Sequence, residues 1–162
     1  MDNELIHAEI EILVLAEDSL SLASNLANLI LERNLYHTGE IKEGYDCLAY
    51  TTSFIVTYAR PFFNNYGYND FPEELLRELN SHQIVLHDEL KEMRKKVIAH
   101  VDSTHTKFSL GQINNEEFPK INSPSFIHFG IEKSKMIDYQ KLISTLRTSI
   151  QIKYESLKKK LD

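Results

Sequence analysis

Arg94 and His100, in the stretch MRKKVIAHVD at residues 93–102, are of types and at a spacing that could do chemistry. An imidazole takes up and gives back a proton near neutral pH. A guanidinium grips a phosphate through two parallel N–H donors. The pair therefore suits work on one phosphate, subject to a geometric condition. Six residues turn a helix through about 600°, so the two side chains point about 120° apart and lie about 9 Å apart along the axis. One straight helix does not aim both at a single point; a kink, or a second copy packed symmetrically, could. The plainer reading is a histidine capping a helix C-terminus, where the macrodipole favours its charged form, and a solvated arginine. Spacing alone favours the plainer reading.

Other residues could contribute. Arg60, in YARPF at 58–62, is a second phosphate contact or the partner of a carboxylate, with nothing to separate the two. Tyr58, Phe62, Phe63, Tyr66 and Tyr68 could stack on unpaired bases, although aromatics at a helix end more often belong to the core. His87 precedes Arg94 by seven residues and shares its side of a helix. It could assist the reaction, but a surface or core histidine is commoner. Glu4-x-x-His7 is one carboxylate–histidine pair, whereas di-iron bundles need two such pairs and two further glutamates. No metal or other cofactor is expected. Cys47, the single cysteine, excludes an internal disulfide or a cysteine-rich zinc site and reads as a core residue.

The elements that must position these residues follow from composition and periodicity. The chain has 162 residues, enough for one domain with its own core. Its net charge of −6 argues against a generic nucleic-acid binder. That charge is uneven: residues 1–46 hold ten acids and two bases, so any anion site belongs to the later chain. The start lacks the basic, unbroken apolar pattern of a signal peptide, and the longest early apolar run, Ile12 to Ala16, is too short to span a membrane. A cytoplasmic protein without membrane attachment is expected.

Residues 1–35 read as a helix. Glu4, Glu11, Asp18, Asn25 and Glu32 recur every seven residues as a polar stripe. The wide apolar remainder, including Ile6, Leu13, Leu15, Leu20, Leu22 and Ile30, predicts deep burial against this domain or a second subunit. Gly39 is the expected C-terminal cap. A second helix over about 40–60, with Leu48, Ile55, Ala59 and Phe62 inside, stops at Pro61. Pro72, Glu73 and Glu74 suit a new first turn, and Ser81 is a candidate N-cap for a helix over about 82–101. Leu86, Leu90, Met93 and Val97 form its inner face. Residues 104–131 read as a small β-hairpin with an irregular loop. A last helix over about 133–160 buries Met136, Leu142 or Ile143, Leu146 and Ile150. The expected fold is an all-α bundle of four to five main helices with a hairpin insertion, as one domain over 1–162.

LHDELKEMRKKVIAHVD, with its Arg94–His100 spacing and AH-x-D ending, and the upstream YARPF resemble the HEPN superfamily (higher eukaryotes and prokaryotes nucleotide-binding domains). The resemblance covers roughly residues 45–105, and the upstream YARPF resembles that of stand-alone bacterial members. It implies a metal-independent endoribonuclease, usually a homodimer whose paired Arg and His residues share a cleft. Arg94 and His100 would be catalytic. The imidazole would take a proton from a ribose 2′-hydroxyl or give one to the departing 5′-oxygen, and the guanidinium would hold the phosphate. Two copies would also meet the geometric condition. The partners implied are RNA, a second copy, and an antitoxin or regulatory protein, in a toxin or phage-defence setting. Lys95 stands where active members often carry Asn, Asp or His, and offers a phosphate contact instead. Asp102 stands where toxins silenced by a nucleotidyltransferase carry tyrosine, so tyrosine modification is not expected there. Arg60, Lys95, His87 and Asp102 are the candidate substrate contacts. The competing class is a catalytically inactive HEPN-like module that binds nucleotide or RNA or docks a partner, which the acidic chain and Lys95 favour.

Overall fold

The computed structural model describes residues 3–36, 41–63, 71–98, 109–112, 122–125 and 131–161. The fold is all-α. Four long helices carry it: α1 (Asn3–Glu32), α2 (Ile41–Ala59), α3 (Ser81–Ile98) and α4 (Lys133–Lys158), with 3-10 turns at Arg60–Phe62 and Glu73–Glu78. α1 packs against α2 and α4, and α3 closes the bundle between those two. No helix among the described residues is long and apolar enough to cross a membrane. The hairpin expected over 104–131 lies mostly outside the described residues. Only Ser109–Gln112 and Asn122–Ser125 are described there; they pair antiparallel, which is too little to show an inserted hairpin.

The helix ends differ from the sequence expectations in instructive ways. α1 closes at Asn34, which adopts φ 53°, and not at Gly39, which lies outside the described residues. Leu35 N–H donates to the Ile30 carbonyl at 3.0 Å and Asn34 N–H to that of Leu31 at 3.3 Å. This is the Schellman pattern, with Leu35 buried as its apolar anchor. Asparagine is among the few non-glycine residues that tolerate the left-handed region. The segment after Pro72 forms a 3-10 turn that Leu79 ends in extended backbone, so no helix continues into α3. Asn80, not Ser81, caps α3. Its side-chain oxygen accepts from Gln83 N–H at 2.9 Å, and the Gln83 side chain accepts from Asn80 N–H at 3.1 Å. The reciprocal pair satisfies two backbone donors that would otherwise lack partners.

The core runs the length of the bundle. Leu13, Leu20 and Ile30 from α1, Phe54, Ile55 and Tyr58 from α2, Leu90 from α3, and Tyr139, Leu142, Ile143 and Leu146 from α4 are almost wholly buried. Both Leu142 and Ile143 face inward. Leu48 does not join them and is only half-buried, while Cys47 beside it is buried. On α1, Val14, Leu15 and Leu22 are 45%, 44% and 52% exposed in the single chain, so the described helices of this domain do not supply the burial that the sequence allowed from them or from a second subunit. Two neighbouring helices cover only the inner half of α1.

Polar pairs set how the helices align. Across α1 and α4, Arg147 donates to Glu17 through Nη2 at 2.5 Å and Nε at 2.8 Å, Lys153 pairs with Glu9 at 2.9 Å, and Gln140 bonds Asn28. As α1 numbers fall α4 numbers rise, the pattern of antiparallel neighbours. Across α3 and α4, Lys135 pairs with Glu89, and Gln83 donates to the Thr145 hydroxyl at 2.8 Å.

Candidate functional site

The site grows from one flank of α3. His87 and Arg94 are seven residues apart, a turn of about 700°, so both face the same way. That way is toward the end of α2, where Pro61 stops the α-helix and Arg60–Phe62 tightens into a 3-10 turn. Phe63 then leaves in extended backbone at φ −123° and ψ 131°. Tyr58 from the last turn of α2, and Phe62 and Phe63 from the turn around the proline, thus reach α3 together.

His87 lies at the inner end of this contact. Its Nδ1 is hydrogen-bonded to the Tyr58 hydroxyl at 2.7 Å, and both residues are buried. Phe62 meets the imidazole edge to face, with centroids 4.6 Å apart, and packs likewise on Phe71 at 4.8 Å. Burial, reinforced by the charge of Lys91 and opposed by that of Asp88, pushes the His87 pKa down to about 4. The ring is therefore neutral at physiological pH. Its Nε2 is buried and has no hydrogen-bond partner among the described residues. His87 is thus buried in the core, where it joins α2 to α3.

Arg94 lies about two turns further along. Its guanidinium carbon sits 4.0 Å from the centroid of the Phe63 ring, and the residue is half-buried. The buried Nε makes no hydrogen bond among the described residues, and no carboxylate there forms an ion pair with Arg94. A guanidinium stacked on a ring keeps its orientation while its remaining N–H donors stay available. Chemically this is an oriented cation that can hold an oxyanion.

The other sequence candidates are distributed differently. Arg60 is exposed on the 3-10 turn. Lys95 is exposed and pairs with Glu92 at 2.5 Å, pointing off the flank that carries Arg94. His100 and Asp102 lie outside the described residues, as do Tyr66 and Tyr68, so the described geometry covers Arg94 and not its relation to His100. Tyr58 is fully buried and cannot stack on a base as it stands. No group of three His, Cys, Asp or Glu residues that could hold a metal ion occurs among the described residues.

Two contacts escaped the sequence reading, the Tyr58–His87 bond and the Phe63 platform under Arg94. Each joins residues about thirty positions apart, and neither has a local pattern; Pro61 alone signalled that the chain turns there. A groove of about 480 Å³ opens elsewhere, between α1 and α4, where Glu17, Ser24, Arg147 and Thr148 are among its lining. It shares no residue with the α2–α3 contact. No family model, curated protein or solved structure matches the chain.

Proposed function

We propose that the chain is a metal-independent endoribonuclease of the HEPN type, acting as a homodimer in a toxin or phage-defence role. One observation carries the reading: Arg94 is held against Phe63 without a carboxylate partner among the described residues, on the helix that leads into His100. A guanidinium oriented by a ring and not neutralised by an acid among the described residues is suited to a substrate anion. The all-α frame is compatible with that family.

In the proposed reaction His100 accepts the proton of a ribose 2′-hydroxyl. The 2′-oxygen bonds to phosphorus, the bond to the 5′-oxygen breaks, and a protonated histidine supplies the leaving oxygen with its proton. Arg94 bridges two phosphate oxygens and offsets the charge that builds between them. The products are a 2′,3′-cyclic phosphate and a 5′-hydroxyl. No step calls for a metal. The test compares an RNA oligonucleotide with its 2′-deoxy counterpart, using purified wild type and His100→Ala. Cleavage of RNA alone, abolished in the variant and unaffected by a chelator, is expected. Equal cutting of both substrates, or full activity in folded His100→Ala, overturns the mechanism.

A second reading has its own support. Lys95 is engaged by Glu92 instead of standing free for phosphate, and the chain is acidic. A binding module that holds RNA or nucleotide through Arg94 without cutting would fit both facts. The same experiment separates the two, because the module would retain RNA uncut.

A further inference from the structure

The outer face of α1 carries a pattern that the described helices do not use. Glu11, Leu15, Asp18 and Leu22 fall within an arc of about 60° on the helix, and Val14 borders it. Glu11 and Asp18 are exposed, as are the three apolar residues. The acids on the inner side are neutralised from within: Glu9 by Lys153 and Glu17 by Arg147. Glu11 and Asp18 form no ion pair among the described residues. Leucines and acids both recur at seven residues, about 10.5 Å. That is the spacing at which a second helix presents its own seam and flanks.

Charge decides the occupant. α1 contains no Lys or Arg, so two α1 helices set face to face would oppose acid to acid. An anionic lipid surface is repelled for the same reason, and so is a nucleic-acid backbone. The surface fits an apolar seam flanked by cations. We infer that the outer face of α1 docks a basic amphipathic helix of a partner protein, with Leu15 and Leu22 meeting its apolar seam and Glu11 and Asp18 pairing with its lysines or arginines. The site uses no residue of the α2–α3 contact and does not depend on RNA cleavage.

The probe is a synthetic helix of three heptads with leucine at the seam and lysine at the flanking positions, titrated against the full chain by fluorescence anisotropy. Saturable binding with Kd on the order of micromolar is expected, as for a small helix-in-groove contact. Leu15→Ser with Leu22→Ser, and separately Glu11→Lys with Asp18→Lys, should each weaken it roughly tenfold or more. All four positions are exposed, so circular dichroism should confirm that both variants fold. The same peptide with glutamate flanks, or with serine at the seam, should not bind. Failure of the wild type to bind, equal binding by the variants, or equal binding of the serine-seam peptide overturns the proposal. So does a dimer of the chain alone that Leu22→Ser dissociates, since a second copy would then be the occupant.

Discussion

Arg94 and His87 share one flank of α3 but do different things, and solvent access accounts for the difference. His87 is 3% exposed and shut between Tyr58 and Phe62, whereas Arg94 is half-buried on Phe63. Protonating His87 would place a charge where Lys91 already disfavours it. The unfolded chain takes up that proton near pH 6.5 and the folded chain only near 4. Between those values the unfolded state binds more protons, so stability is full above about pH 6.5 and falls as the pH drops toward 4, by about 3 kcal/mol at most. Urea midpoints across this window should decline in wild type. In His87→Gln, which cannot take up a proton there, the decline between pH 6.5 and 5 should be much flatter, and an unchanged slope would place the titrating group elsewhere. If the proposed chemistry holds, Arg94→Ala should reduce RNA cleavage about 10²–10⁴-fold, as should loss of His100. Arg94→Lys should recover little, because an ammonium lacks the two-pronged grip. Single-turnover rates on an RNA oligonucleotide would read this directly, and near-wild-type cleavage by Arg94→Lys would remove the bidentate contact from the mechanism.

At the scale of elements, caps and faces carry the stability that can be measured most simply. Asn80 and Gln83 satisfy each other's backbone donors at the start of α3. Asn80→Ala should cost about 1 kcal/mol while Asn80→Asp, which keeps the accepting oxygen, costs little. A denaturant midpoint unmoved by Asn80→Ala would show that the cap contributes nothing. α1 offers a sharper contrast. Leu20 is fully buried and Leu22, two residues on, is 52% exposed. Leu20→Ala should destabilise by about 2–5 kcal/mol, and Leu22→Ala by about 0.5 kcal/mol or less. The breadth of apolar sequence in α1 suggested burial against this domain or a second subunit, and within the single chain a helix with two neighbours has only one covered side. Leu15 and Leu22 looked like core residues because hydrophobicity records what can be buried, not what is.

For the whole molecule, assembly is the open structural consequence of the proposal. The angular offset between Arg94 and His100 on a straight helix is about 120°, so a shared cleft calls for a second α3. A homodimer at micromolar concentration is expected in light scattering, and an active monomer would break that reasoning. Charge placement makes a separate statement. If the proposed chemistry holds, an RNA strand should follow the α2–α3 flank, where Arg60 is exposed on the turn that leads to Phe63, and avoid the acidic α1. Affinity for single-stranded RNA should fall as salt rises, because each phosphate contact releases a counterion. Binding indifferent to salt would favour the partner-docking reading instead.

Residue periodicity pointed to an all-α bundle of four to five main helices, of which four are long and the segment after Pro72 is a 3-10 turn, and to most of their inner faces, because a helix needs only local spacing to present an apolar side. Proline and its neighbours likewise announced the break after Ala59, since a missing backbone donor acts wherever it stands. The local order in LHDELKEMRKKVIAHVD put Arg94 forward as a candidate. Its setting was not legible there. That His87 would be bonded to Tyr58, that Phe63 would lie beneath the guanidinium, and that Leu15 and Leu22 would stay uncovered all depend on which helices meet and how they align. Those alignments join side chains far apart in the chain, such as Glu17 with Arg147 and Gln83 with Thr145. Only the tertiary structure decided them, because contact between distant segments is a property of the packed bundle and leaves no periodic trace in either segment alone.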